Sequence, residues 1–201
     1  MDQTRRRVLE GEQVPSTEKV YSIFEPHTDL IKRGKAENSL EFGHKVFLAE
    51  SARGLITQYE VLSGNPNDGI HVQPSLQHHC ETFGHPPHLY GSDRGFHSRD
   101  NVQACERCGV QLVCIPQCGG QKTPRQEAYE KSAAFKKGQR FRAGIEGRIS
   151  VLFRGRGMKR CHAQGRPRFE LLVGAAVLTN NLMRIAALLT SSSSRKKRPA
   201  A

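Results

Sequence analysis

FRAGIEGRISVLFRGRGMKRC, residues 141–161, sets a single carboxylate, Glu146, among six cations. Ile145, Ile149, Leu152 and Phe153 fall at i, i+4, i+7 and i+8, the spacing of one apolar stripe on a helix. Arg154-Gly155-Arg156-Gly157 ends that helix. Glu146 adjoins Ile145, so it flanks the buried stripe instead of opposing it. An acid so placed faces the edge of whatever covers the stripe, while the arginines are expected to reach outward.

What covers the stripe is read upstream. His44–Ala49 (HKVFLA) and Leu55–Leu62 (LITQYEVL) read as two strands, and the Ser51–Gly54 turn between them makes a hairpin. Lys19–Phe24 (KVYSIF) reads as a short extended segment. His71–Phe83 is helical, starting near Pro74. His88–Gly91 is a short strand that runs into Ser92-Asp93-Arg94-Gly95. Asn101–Cys108 is a helix stopped by Gly109, and Val110–Ile115 is a buried strand. A helix from Arg125 is expected to break at Gly138, and a last apolar helix spans Phe169–Leu189. The order hairpin, helix, strand, helix, strand, helices gives an α/β class with a mixed sheet and helical cover. Three regions follow: a polar segment 1–16, a domain over 17–190, and a basic, low-complexity tail 191–201 expected to be disordered.

The 201 residues carry a net charge of +12, with hydrophobic residues at 36% and aromatics at 6%. Gln121–Glu170 alone holds fourteen cations against four carboxylates, ten of the net twelve charges. That density favours contact with a DNA backbone over a merely solvated face. The low aromatic content argues against stacking on bases. No apolar leader is read at the N-terminus. Leu171–Leu189 is interrupted by Thr179, Asn180, Asn181 and Arg184, so no membrane partner is expected. Six cysteines in a chain of this kind suit a reducing cytoplasm.

Metal-dependent phosphoryl transfer on DNA requires carboxylates at strand ends and on a facing helix, holding two divalent ions. Asp93 and Glu146 stand where that logic asks. Each also has a plain reading. Ser-Asp-Arg-Gly is good turn chemistry for Asp93, and Arg142 is an i,i+4 partner for Glu146. Residue types alone leave both open.

A resemblance sharpens the choice. VYSIFEPHTDLIKRGKAENSLEFGHKVFLAES (20–51), LITQYEVLSGNPND (55–68), LYGSDRGFHS (89–98), VCIPQCGG (113–120), the 141–161 stretch and FELLVGAAVLTNNLMRIA (169–186) occur in one order. Together they resemble the C-terminal half of bacterial insertion-sequence DDE transposases, from about Arg7 to Leu189. The resemblance implies an incomplete ribonuclease H-like fold, Mg²⁺ (or Mn²⁺) as cofactor, and cutting and joining of DNA at transposon ends. The family's second acid falls on Asp93 and its final acid on Glu146, as catalytic and metal-holding groups. Arg142, Arg148, Arg154, Arg156, Lys159 and Arg160 fall where the family binds DNA backbone. The implied partners are transposon-end DNA, a second copy or a full-length transposase, in the bacterial cytoplasm at the nucleoid.

The family's first aspartate belongs to a first core strand upstream of KVYSIFEP, and nothing in this sequence corresponds to it. Asp29 and Glu25 do not occupy that motif. The sequence therefore reads as a truncated copy with the first core strand absent and no strand transfer of its own. A second reading is a non-catalytic basic DNA-binding remnant. A third is a zinc-binding nucleic-acid factor, suggested by Cys105-x2-Cys108 and Cys114-x3-Cys118. Their short separation, and Cys114 within an apolar strand, argue against zinc, and no zinc ligand is assigned.

Overall fold

The computed structural model describes residues 2–15, 18–32, 40–162 and 164–196, with side chains through Ser191. The polar start forms a short helix, α1 (Asp2–Val8), with no buried residue. The segment expected to be extended at Lys19–Phe24 forms no strand. The strand comes later, as β1 (Asp29–Lys32), paired antiparallel with β2 (Leu40–Gly43). Val20, Ile23 and Phe24 are exposed, and Tyr21 packs on Phe42 of β2 (5.9 Å).

The expected hairpin forms as β3 (Val46–Glu50) and β4 (Ile56–Val61), antiparallel, with a register shift at Ala49/Glu50. The Ser51 N–H donates to the Leu55 carbonyl (2.8 Å) to close the turn. A 3-10 turn at Asp68–His71 leads into α2 (Val72–Phe83), which Gly84 ends in the left-handed conformation at φ 74°. Next come β5 (Leu89–Gly91), α3 (Arg99–Cys108) and β6 (Leu112–Cys114), with β5 and β6 parallel. Ser98 caps α3 by accepting from the Asn101 N–H, and Gly109 ends it at φ 92°.

The mixed sheet expected from the sequence is instead three separate two-stranded sheets among the described residues. Two cores form rather than one. The first gathers Ile56, Leu152, Met158, Val173, Ala176 and Val177. The second gathers Val72, Leu76, Cys105, Val110, Val113 and Ile115. One aromatic group links the two regions: Phe47 of β3 stacks on His71 (5.3 Å) and tilts against Phe96 (6.4 Å).

Gly138 does not break the helix. The break is at Ser132, which caps both the end of α4 (Pro124–Lys131) and the start of α5 (Ala133–Gly155). Gly138 is a crossing point. A Cβ there would collide with Cys114 Sγ and lie 3.2 Å from Leu89 Cδ1, so only glycine lets α5 sit this close to β5 and β6. Of the expected buried stripe only Leu152 is fully covered; Ile149 and Phe153 are 37% and 43% exposed. The last helix, α6 (Arg166–Lys196), overruns its expected ends. Residues 191–196, read from the sequence as the start of a disordered tail, continue that helix, and 197–201 lie outside the described residues.

Candidate active site

Asp93 follows the carboxyl end of β5, and Glu146 lies in the middle of α5. The side chain of Arg142, one turn before Glu146, bridges them. Its Nη1 donates to Glu146 Oε1 at 3.0 Å and its Nη2 to Asp93 Oδ1. The two acids singled out from the sequence thus meet on one guanidinium, although they belong to different elements and different parts of the chain.

The local sequence explains how. Asp93 begins a 3-10 turn (Arg94–Phe96) in extended backbone, but its carboxylate makes no capping bond there. The turn reading describes the backbone, then, and leaves the side chain free for α5. The plain reading of Glu146, an i,i+4 partner of Arg142, is also realised. The approach of α5 is fixed by Gly138 and by Gln139, whose amide donates to the carbonyls of Cys114 (2.5 Å) and Ser92 (3.3 Å). Cys114 ends β6 and Ser92 directly follows β5, so Gln139 holds the helix against the strand ends from which Asp93 departs. Reading Gly138 as a helix breaker hid this clamp from sequence reasoning.

Both carboxylates face water, with side chains 58% and 71% exposed, while Arg142 is 20% exposed. Arg142 Nε is buried and has no partner among the described residues. Oxygen donors of this kind suit Mg²⁺ or Mn²⁺, and one or two carboxylates with waters and a phosphate form an ordinary Mg²⁺ site. The pair supplies oxygen donors of this kind, both turned to Arg142, and no third acid. Among the described residues no three His, Cys, Asp or Glu side chains converge in a way that could hold a metal.

The expected DNA-contacting cations divide. Arg154, Lys159 and Arg160 are exposed, with no carboxylate partner among the described residues. Arg142 is committed to the two acids. Arg148 is turned inward: its Nε donates to Glu50 Oε1 at 2.8 Å and its Nη1 to Asn180 Oδ1 at 3.4 Å, tying α5 to β3 and α6. Arg156 is half-buried and folds back on the Gly155 carbonyl. Lys136, Lys137 and Arg140 add three exposed cations on α5 that the family pattern did not single out.

The cysteines separate in the same way. Cys105 and Cys114 are buried and Cys118 is exposed. Burial, with Cys108 and Glu106 nearby, pushes the Cys105 thiol up to about 12, so it stays protonated. Cys108 approaches Cys80, Sγ to Sγ 3.4 Å.

A second polar cluster escaped sequence reasoning. His27 Nδ1 lies 2.6 Å from His44 Nε2, His27 Nε2 lies 2.5 Å from Glu25, and His44 Nδ1 lies 3.0 Å from Asp29. The Gly165 N–H donates to Glu25 and the Gly64 N–H to Asp29, so the cluster pins the approach to β1 against the α6 entry and the end of the hairpin. No local spacing announces it, because its partners come from four separate segments.

One helix among the described residues, over Arg166–Ser191, is long and apolar enough to cross a membrane by length and composition, and 22% of that window is buried in the fold. Comparison with protein-family models, with curated proteins and with solved structures finds no match to this chain.

Proposed function

We propose that this chain carries two of the three acids of a DDE transposase catalytic domain, and that its biochemical role is binding DNA at the ends of a mobile element. The supporting observation is the convergence of Asp93, at a strand end, and Glu146, on a basic helix, on the one guanidinium of Arg142. The antiparallel hairpin β3–β4 and the parallel pair β5–β6 are the two kinds of pairing that a ribonuclease H-like mixed sheet combines, here in separate sheets. A Mg²⁺ ion at the pair would neutralise phosphate charge and acidify a bound water. Asp93 and Glu146 would hold it, and Arg142 would turn from them to a phosphate oxygen, to which a guanidinium bonds in bidentate fashion. Two carboxylates do not hold two ions, so the chain alone performs no strand transfer.

The second reading, a non-catalytic DNA-binding remnant, is favoured by Arg142 itself, which neutralises both acids from within the fold. Both readings require a DNA-binding surface on Arg154, Lys159 and Arg160. Titrating a labelled duplex with the chain at several salt concentrations tests it. Replacing the three by alanine is expected to flatten the slope of log K against log salt by roughly 3, close to one for each phosphate that is no longer neutralised. An unchanged slope would remove these residues from the interface. A Mg²⁺ titration followed by calorimetry separates the two readings: binding that is lost in Asp93→Ala supports the first and no binding supports the second, while Mg²⁺-dependent nicking that is lost in Asp93→Ala would contradict the absence of activity in both.

A further inference from the structure

α6 is apolar on two faces, and the chain's own core uses only one. Val173, Ala176, Val177 and Asn180 point inward, at 0%, 4%, 5% and 2% exposure. The helix is held in that rotation at two places. Asn181 donates to and accepts from the Ile56 backbone at 2.8 and 2.9 Å, and Arg184 donates to the Arg53 carbonyl at 2.6 Å.

The outward face then presents Leu171, Ala175, Leu178, Leu182, Ile185 and Leu189, spaced alternately four and three residues apart. That is the a/d spacing of a heptad seam sustained over nearly three heptads. Its large side chains are 73%, 60%, 59%, 43% and 65% exposed, from Leu171 to Leu189.

We propose that this seam joins two copies of the chain through α6, related by a two-fold axis. Three observations favour a second copy. The seam is self-complementary, since knobs at a 4–3 spacing seat in the holes of a helix with the same spacing. It is free of charge: between Leu171 and Leu189 the only Asp, Glu, Lys or Arg is Arg184, and it is turned onto the Arg53 carbonyl. A chain of net charge +12 can therefore approach its like along this one face without opposing cations at the seam. Finally, covering the seam on two copies would remove roughly 1,000 Å² in total, the lower bound for a specific interface. A bilayer is the weaker occupant, because inserting α6 would pull its inner face off β4 and expose Asn180, Asn181 and Arg184 to lipid.

Sedimentation equilibrium on the full chain tests the proposal. The wild type is expected at twice 22.4 kDa in the micromolar range. Leu178→Lys and Leu182→Lys, each at an exposed position, are expected to raise the dissociation constant at least about thirtyfold, the loss that marks an interface hot spot. Their far-ultraviolet circular dichroism should match the wild type, and the milder pair Leu178→Ala and Leu182→Ala repeats the measurement should either lysine variant lose helix. A wild type that stays monomeric at high micromolar concentration overturns the proposal. So does a dimer indifferent to all four substitutions, or a monomer that floats with phosphatidylcholine–phosphatidylglycerol vesicles.

Discussion

The two cores differ in how completely they are closed. Around β5 and β6, Tyr90 and Val113 face α2 and α3, while Leu89, Gly91 and Cys114 face α5. A parallel pair covered on both faces is the usual state of such strands. Around β3 and β4, α6 covers the face with Val46, Leu48 and Ile56. On this side Tyr59 remains 44% exposed and the outer stripe of α6 is open. The closed half carries the candidate acids, and the open half carries the proposed association seam. α5 reaches both, through Gly138 and Gln139 at one end and Leu152 at the other. The candidate acids thus sit on the half whose strands are covered on both faces, while the half with the open stripe carries the proposed seam.

Leu152→Ala should strike hardest. It empties a fully buried position and is expected to cost about 2–5 kcal/mol. Hydrogen exchange would show amides of β3, β4 and α6 opening before those of α2 and α3. Equal opening in both halves would mean that they unfold as one unit and would erase the contrast. Next in size is a pair of glycines on the same helix. Gly138→Ala should destabilise by about 1–3 kcal/mol, because the added methyl meets Cys114. Gly147→Ala, where a Cβ meets nothing within 4 Å, should stabilise by up to about 1 kcal/mol. Chemical denaturation of the two variants reads the difference in sign.

The smallest effect is expected from pH. The Gly165 N–H lowers the Glu25 carboxyl below the ordinary carboxylate range; burial works against it and His27 adds to it. A group depressed in the folded state stabilises above its unfolded value, and that contribution is lost as pH falls through the folded one. Acid should therefore loosen the start of α6, seen as a smaller protection factor of the Gly165 amide after correction for the intrinsic pH dependence of exchange, and Glu25→Gln should abolish that loss of protection.

The sequence made some of this legible, for local reasons. The β3–β4 hairpin, α2, α3 and the β5–β6 strands lie near their expected places, because the Ser51–Gly54 turn, the apolar runs and the Gly109 stop are local signals. Residue type alone leaves Asp93 and Glu146 open and only the resemblance pairs them; the structure brings them to one guanidinium. Properties set by distant partners were hidden. Gly138 reads locally as a breaker, and only Cys114 makes it a contact. Arg148 reads as an outward cation, and only Glu50 turns it inward. The stripe of α5 suggested continuous burial, but the strands below it divide into separate sheets, so Ile149 and Phe153 stay partly exposed.

Paramagnetic broadening by Mn²⁺ tests the shared-cation account of Asp93 and Glu146 most directly. Substoichiometric Mn²⁺ added to ¹⁵N-labelled chain should broaden amides of residues 92–96 and 142–148 together. Both sets should sharpen again in either Asp93→Asn or Glu146→Gln. Broadening confined to one set, or persisting in both variants, would contradict a site that the strand end and the helix share.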